Sequence, residues 1–429
     1  LERIVPGMIS AAAEGLAPVF QQHIRVLAAE TLLQMLEASL EFSSDTIPRC
    51  PDIVVEAILS GCQVAEAPQL QITSFSCLDQ FCQTFLPYVA NHRERIFSVG
   101  LAGMRASHRQ VKAVVMDMWS TLATNQFLMM TSHDDRSGLY SRLIPELMLL
   151  VLESICSEDI DDEANSVVLP ARTLLAAMCA ASHQTHANEL ASFASAHVFS
   201  PDVRFRRAAF VAMGAFAPNH TPDVPMEAIL DSLQSPPLCS VACWAVGRMV
   251  EFSASGISAD VKLQLFTLSL QGIADATYAE DFQYILFQLL QASTVTPAQY
   301  VDISRRFIQV SLSCPPVARG IVLAALSCLI KRAPADCKPH FADTVTSLLT
   351  LSRELQLIEF RQRGQPHSID AHAVERRVCW DGAECTFEEF KQYYGKTAVK
   401  NWCMSPKADH AVIIDGVARC LNDLAKCLG

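Results

Sequence analysis

Residues 200–217 read SPDVRFRRAAFVAMGAFA: three arginines, at 204, 206 and 207, stand immediately before a run of small and apolar residues. The run repeats apolar side chains at i, i+3, i+4 and i+7, the spacing of a helix with one buried stripe. Three roles could explain the arginines: phosphate contacts, a substrate clamp, or a link between neighbouring helices. In the local reading Ser200 caps the helix, with Pro201 at its first position. Asp202 favours the positive end of the helix dipole and lies four residues before Arg206, the spacing of a same-face pair. Arg206 is then the stitch to the next helix, and Arg204 and Arg207 are solvated.

The same pattern recurs along the chain. Helical periodicity dominates, strand alternation is nearly absent, and helices come in pairs punctuated by Pro, Ser, Asp or Asn. Second helices are predicted to begin near residues 19, 66, 107, 162, 202, 237, 276 and 315, mostly about 40 residues apart, the period of HEAT or armadillo hairpins. Compare VRFRRAAFVAMGAFA (203–217) with PPLCSVACWAVGRMVEF (236–252) and EDFQYILFQLLQAS (280–293). A single core stops growing near roughly 250–300 residues. A chain of 429 residues with only 16 glycines therefore fits an elongated all-α array that adds its core pair by pair. The expected fold is a HEAT-repeat α-solenoid, a superhelix of antiparallel helix pairs over 1–360. A linker at 361–375, an aromatic-rich insert at 376–405 and a helical end at 406–429 follow.

Composition excludes some functions. A net charge of −12 disfavours direct nucleic-acid binding, which rests on neutralising phosphates, and suits a basic partner. The 16 cysteines sit inside apolar runs such as CSVACWAV and LSCLIK, as buried free thiols do in a reducing compartment. No apolar run is long enough to span a membrane. The opening LERIVPGMIS begins without methionine and in mid-helix style, so the chain reads as cut from something longer. Cys379, Cys385, Cys403 and His410 share one stretch, but their spacing matches no common zinc module. Neither a Ser–His–Asp order, an HExxH nor a phosphate loop appears, so no enzyme, metal or cofactor is expected.

Four stretches in order carry a family resemblance: VLAAETLLQMLEASLEF (26–42); QLQITSFSCLDQFCQTFLPYV with IFSVGLAGMRASHRQVKAVVMDMWSTLA (69–89 and 96–123); SPDVRFRRAAFVAMGAFA (200–217); and SVACWAVGRMVEF (240–252). The third is similar to NPDWRYRDAAVMAFGCIL and the fourth to DTAAWTVGRICEL of importin-β, the HEAT-repeat nuclear import receptor. Against that register residue 1 falls several repeats inside the family's chain, so the repeats carrying the main Ran surface would be missing. The resemblance implies a non-enzymatic, monomeric transport receptor moving between cytoplasm and nucleus and docking at the nuclear envelope and pore. It would bind an importin-α-like adaptor or basic cargo on an acidic concave face and FG nucleoporins on its convex face, and the Ran GTPase would regulate it.

It also implies site residues. Trp244 falls where the family stacks a Trp on the adaptor's basic helix, Tyr284 where it has another such Trp, and Trp119 is a further aromatic candidate. Tryptophan is a preferred platform for cations. Glu158, Asp159, Asp161, Asp162 and Glu163 fall at an acidic loop touching Ran and the adaptor. The family's loop is longer and ends in Trp-Asn, where this chain has Ala164 and Asn165. Leu1, Val5, Ile53 and Val54 align with an FG-nucleoporin pocket between first helices. The insert WDGAECTFEEFKQYYG (380–395) resembles a short module of protist proteins and is expected to form a helix ending at Gly395. The alternative function is a generic HEAT scaffold, such as a phosphatase regulatory subunit, with no need for a cation platform.

Overall fold

The computed structural model describes residues 5–39, 51–124, 139–158, 166–181, 184–218, 226–275, 277–292, 296–313, 316–351, 376–378, 384–386, 417, 419–423 and 425–426. The chain divides into two compact units, Leu1–Phe252 and Ser253–Gly429.

The first unit is built from helix pairs: α1 (Val5–Gly15) with α2 (Gln22–Ser39), α3 (Pro51–Cys62) with α4 (Pro68–Thr84), and α5 (Leu86–Met104) with α6 (Arg109–Thr124). α7 (Leu139–Cys156) with α8 (Val168–Ala181), α9 (Gln184–His197) with α10 (Val203–Phe216), and α11 (Met226–Leu233) with α12 (Pro236–Ser253) complete it. First helices pack on first helices (α1 on α3, α3 on α5, α5 on α7) and second on second (α2, α4, α6, α8 and α10 in turn). The core therefore runs between two rows and grows with each pair, as a HEAT array requires. Second helices begin at Gln22, Pro68, Arg109, Val168, Val203 and Pro236, each within six residues of the expected start.

Helix starts follow local chemistry. α3, α4 and α12 begin on Pro51, Pro68 and Pro236, where a missing amide hydrogen costs nothing. The start of α10 corrects the sequence reading. Its cap is Asp202, not Ser200, and Pro201 precedes the helix. Asp202 Oδ1 accepts the Arg204 amide at 2.9 Å, while Ser200 Oγ accepts the Asp202 amide at 3.2 Å. Only the longer carboxylate reaches both the second helical amide and the Arg204 guanidinium.

The stitching is also reassigned. Asp202 pairs with Arg204 (Nη2 to Oδ2, 2.7 Å), not with Arg206. Arg207, expected to be solvated, is the link: it is 7% exposed and its Nη2 donates to the Ile155 and Glu158 carbonyls at 3.3 and 3.1 Å. It thus satisfies carbonyls at and beyond the C-terminal end of α7, where a cation is favoured. Arg25 does the same for Leu16 O (2.9 Å) and Gln71 for Cys62 O (3.0 Å), each closing the turn of its own pair. Along the first-helix row His92 Nε2 lies 2.9 Å from Asp52 Oδ1, and Arg95–Glu56 and Arg105–Glu146 tie α5 to α3 and α7.

In the second unit α13 (Ala259–Ile273) pairs with α14 (Ala279–Ala292), and α15 (Pro297–Ser313) with α16 (Pro316–Arg332). A helix over 341–351, α17, packs on α15 through Phe341 against Tyr300 (ring centroids 5.3 Å apart) and Thr344 beside the Tyr300 hydroxyl (3.2 Å). The described residues of 417–426, α18, are helical and pack on α16: Cys420 Sγ donates to Leu323 O at 3.2 Å, and buried Asp423 accepts from Ser327 and from Lys331 Nζ at 3.2 Å. α17 thus lies on a first helix of this unit and α18 on a second helix. Between them in sequence, Arg376–Val378 pairs antiparallel with Glu384–Thr386, a short ladder that the helical reading did not anticipate. Three-residue strands are too short to show alternation. The remainder of the helix expected up to Gly395 lies outside the described residues.

Candidate functional site

α12 buries Leu238, Cys239, Val241, Ala242, Cys243, Ala245, Val246, Met249 and Val250, leaving Ser240, Trp244, Arg248 and Phe252 as a less buried stripe at i+4 intervals. Trp244 is half-buried at its centre. The ring lies directly on α10: a Cβ added to Gly214 would fall 2.2 Å from the indole Cζ3, so only glycine admits this approach. Arg172, the one charged residue of α8, holds its guanidinium carbon 5.6 Å from the Trp244 ring centroid. Its Nη2 donates to Ser240 Oγ at 3.1 Å, bridging α8 to α12 across α10. One turn on, Arg248 lies over Phe252 (4.6 Å), donates from Nε to Gly214 O (3.3 Å) and faces Glu251 (3.6 Å). The indole is thus a cation-accepting surface whose cation comes from the chain itself. Its charged neighbours include two guanidiniums, where an acidic surround was expected.

The other expected residues scatter. Tyr284 is half-buried on α14 in the second unit, on one helix face with Glu280 and Asp281 at i+4 and i+3 spacing. Trp119 is fully buried, with Gly100 and Phe97 against its ring, so it is a core residue and not a binding platform. Glu158 is likewise no exposed loop acid. At 2% exposure it accepts from Val167 N (2.7 Å) and Ser166 Oγ (3.1 Å) and forms an ion pair with Arg207 Nη2 (3.3 Å), because the buried guanidinium needs a counter-charge. Asp159, Asp161, Asp162 and Glu163 lie outside the described residues. Of the pocket candidates Ile53 is 52% exposed, whereas Val54 at 2% belongs to the core and cannot form a rim. Leu1 and the side chain of Val5 lie outside the described residues. Among the described residues no group of three His, Cys, Asp or Glu could hold a metal, and no helix is long and apolar enough to cross a membrane. The side chains of Cys379, Cys385, Cys403 and His410 fall outside them.

Sequence reasoning missed Arg172, Ser240 and Gly214. The available signals were a lone arginine in the apolar helix VLPARTLLAAMCAA and a glycine inside an otherwise strong helix.

Neither a family model nor a curated protein matches the sequence. Solved structures do match. Yeast importin-β (Kap95p) superposes with a TM-score of 0.69 at 16% identity, over 98% of this chain and 52% of its own. Importin-β crystallised from ammonium sulfate gives 0.63 at 15%, over 98% and 48%. Kap121p bound to Nup53p gives 0.51 at 11%, over 80% and 36%. The chain spans about half the length of the importin-β structures. At these identities the shared property is the fold: the chain is a HEAT-repeat array built like these karyopherin structures.

Proposed function

We propose that the chain is a nuclear transport receptor of the importin-β kind that binds a basic segment of an adaptor or cargo on its second-helix row at Trp244. Tyr284, beside Glu280 and Asp281, is a further cation site in the second unit. FG nucleoporins dock on the first-helix row near Ile53, and Ran in its GTP form releases the cargo. The protein works without covalent chemistry, between cytoplasm and nucleus and at the pore. The observation that carries the reading is the half-buried indole of Trp244 with a guanidinium over its face, on a fold shared with transport receptors. Kap95p has been solved with RanGDP and Kap121p with Nup53p, which supports trying Ran and a second protein as partners.

The test is release. A fluorescent Arg/Lys-rich peptide bound to the chain is challenged with Ran loaded with GTP or GDP. Release by the GTP form alone is the expected result. A peptide that does not bind, or that neither form releases, overturns the reading. A scaffold reading is favoured by one observation: Arg172 already spans from α8 to α12, as a purely structural staple would.

A further inference from the structure

α4, α6 and α8 each carry a second helix on both flanks, whereas α2, among the described residues, packs in that row on α4 alone. The side of α2 left uncovered is apolar. Ile24 and Leu27 stand there at i and i+3, Phe20 lies one turn earlier with Val19 beside it, and all four are exposed, Leu27 by 59%. Thr31 continues the stripe at i+7, and its hydroxyl already donates to the Leu27 carbonyl at 2.7 Å.

We infer that this side of α2 is a self-association surface, which pairs antiparallel with the same side of a second copy of the chain about a two-fold axis beside Leu27. The inference goes beyond the transport reading and does not depend on Trp244. It replaces the monomer that the family resemblance implies.

Three features carry it. The first is the apolar stripe itself: a helix array keeps an open face in water by making it polar, and a contiguous exposed apolar patch marks a packing surface. The second is continuity, since second helix against second helix is the contact that already runs through this unit. A second copy supplies another such helix at whatever concentration the first is present. The third is charge. His23 and Glu30 are both exposed and lie two turns apart on one edge of the stripe. An antiparallel pair whose axis passes between Val26 and Leu27 sets His23 of each copy opposite Glu30 of the other. The two contacts are equivalent, as an isologous interface requires. A parallel pair would instead set His23 beside His23 and Glu30 beside Glu30. In the antiparallel arrangement the two Leu27 side chains meet at the centre, with Ile24 and Phe20 outward from them.

The experiment is sedimentation equilibrium of the full chain from about 1 to about 100 µM, a range that spans the Kd expected for an interface of one helix face. It compares wild type with Leu27→Glu, His23→Glu and the exchange His23→Glu with Glu30→His. All three change exposed side chains, and circular dichroism checks that helix content is kept. The inference expects a reversible dimer of wild type, a Kd raised at least about ten-fold by Leu27→Glu and by His23→Glu, and a return to within about three-fold of wild type in the exchange. The exchange separates a defined interface from non-specific clumping, because swapping two charges leaves the apolar stripe and the net composition as they were. A wild type that is monomeric at about 100 µM overturns the inference. Association indifferent to Leu27→Glu, or not recovered by the exchange, overturns it as well. None of these results bears on peptide binding at Trp244, so the transport reading stands or falls separately.

Discussion

Replacing Glu158 by alanine distinguishes a solvated loop acid from a buried latch. In the structure its carboxylate serves the Val167 amide, the Ser166 hydroxyl and the Arg207 guanidinium at once, at 2% exposure. Alanine leaves a buried cation without its counter-charge and a buried amide without its acceptor. Breaking a buried pair from one side costs about 3–5 kcal/mol. For a unit of this size each kcal/mol lowers Tm by about 2–4 °C, so a drop of about 6–20 °C is expected in thermal unfolding of the first unit. Repeat arrays can open locally, so hydrogen exchange should show the loss concentrated where α7 and α8 meet α10. Burial lowers the Arg207 pKa and Glu158 opposes that shift, so Arg207→Met on the alanine background should restore part of the stability. A loss under about 1 kcal/mol, or strict additivity of the two substitutions, would refute the latch.

Gly214→Ala should cost about 1–3 kcal/mol in urea unfolding, despite alanine's better helix propensity, because its methyl group meets the Trp244 ring; an unchanged midpoint would show that the ring moves freely. The cap of α10 should weaken in acid. The Arg204 side chain, then the Arg204 amide, lowers the Asp202 pKa from 3.8 to about 2. Because the folded value is the lower one, the contribution is complete above the unfolded pKa and is lost as pH falls from there to about 2. Asp202→Asn should flatten that part of the pH–stability curve, and an identical curve would count against the cap. Burial raises the Cys62 and Cys82 thiols and pushes Cys77 up to about 12, so these three should resist a thiol reagent until the protein is unfolded, whereas half-buried Cys156 and Cys328 react earlier. Rapid native labelling of Cys77 would contradict the packing of α4.

Fold class and the positions of the second helices were legible because they depend on periodicity, which one buried stripe per helix imposes on the sequence. The roles of particular charges were not. Arg206 and Arg207 are adjacent in sequence, and which one meets α7 depends on a rotation of α10 that spacing rules do not fix. Glu158 and Asp159 likewise read as one acidic run, yet Glu158 is sequestered by Arg207, a partner 49 positions away. Trp244 was found because its surroundings resemble a family motif. Arg172 was not, since a cation–π contact across an intervening helix leaves no trace in local spacing. Trp119 and Trp244 both sit against helical glycines, Gly100 and Gly214, and composition showed only that glycines are few. What separates the core tryptophan from the half-buried one is the packing of the neighbouring pair.

The central claim is that Trp244 is a partner platform for cations. Its most direct measurement is titration of a fluorescent Arg/Lys-rich peptide against the wild-type chain and Trp244→Ala over a range of salt concentrations. Salt-sensitive binding that weakens by about 1 kcal/mol or more when the indole is removed is the expected result. Binding indifferent to Trp244, or no binding at low salt, would contradict it and leave a HEAT array whose arginine and tryptophan only hold helices together.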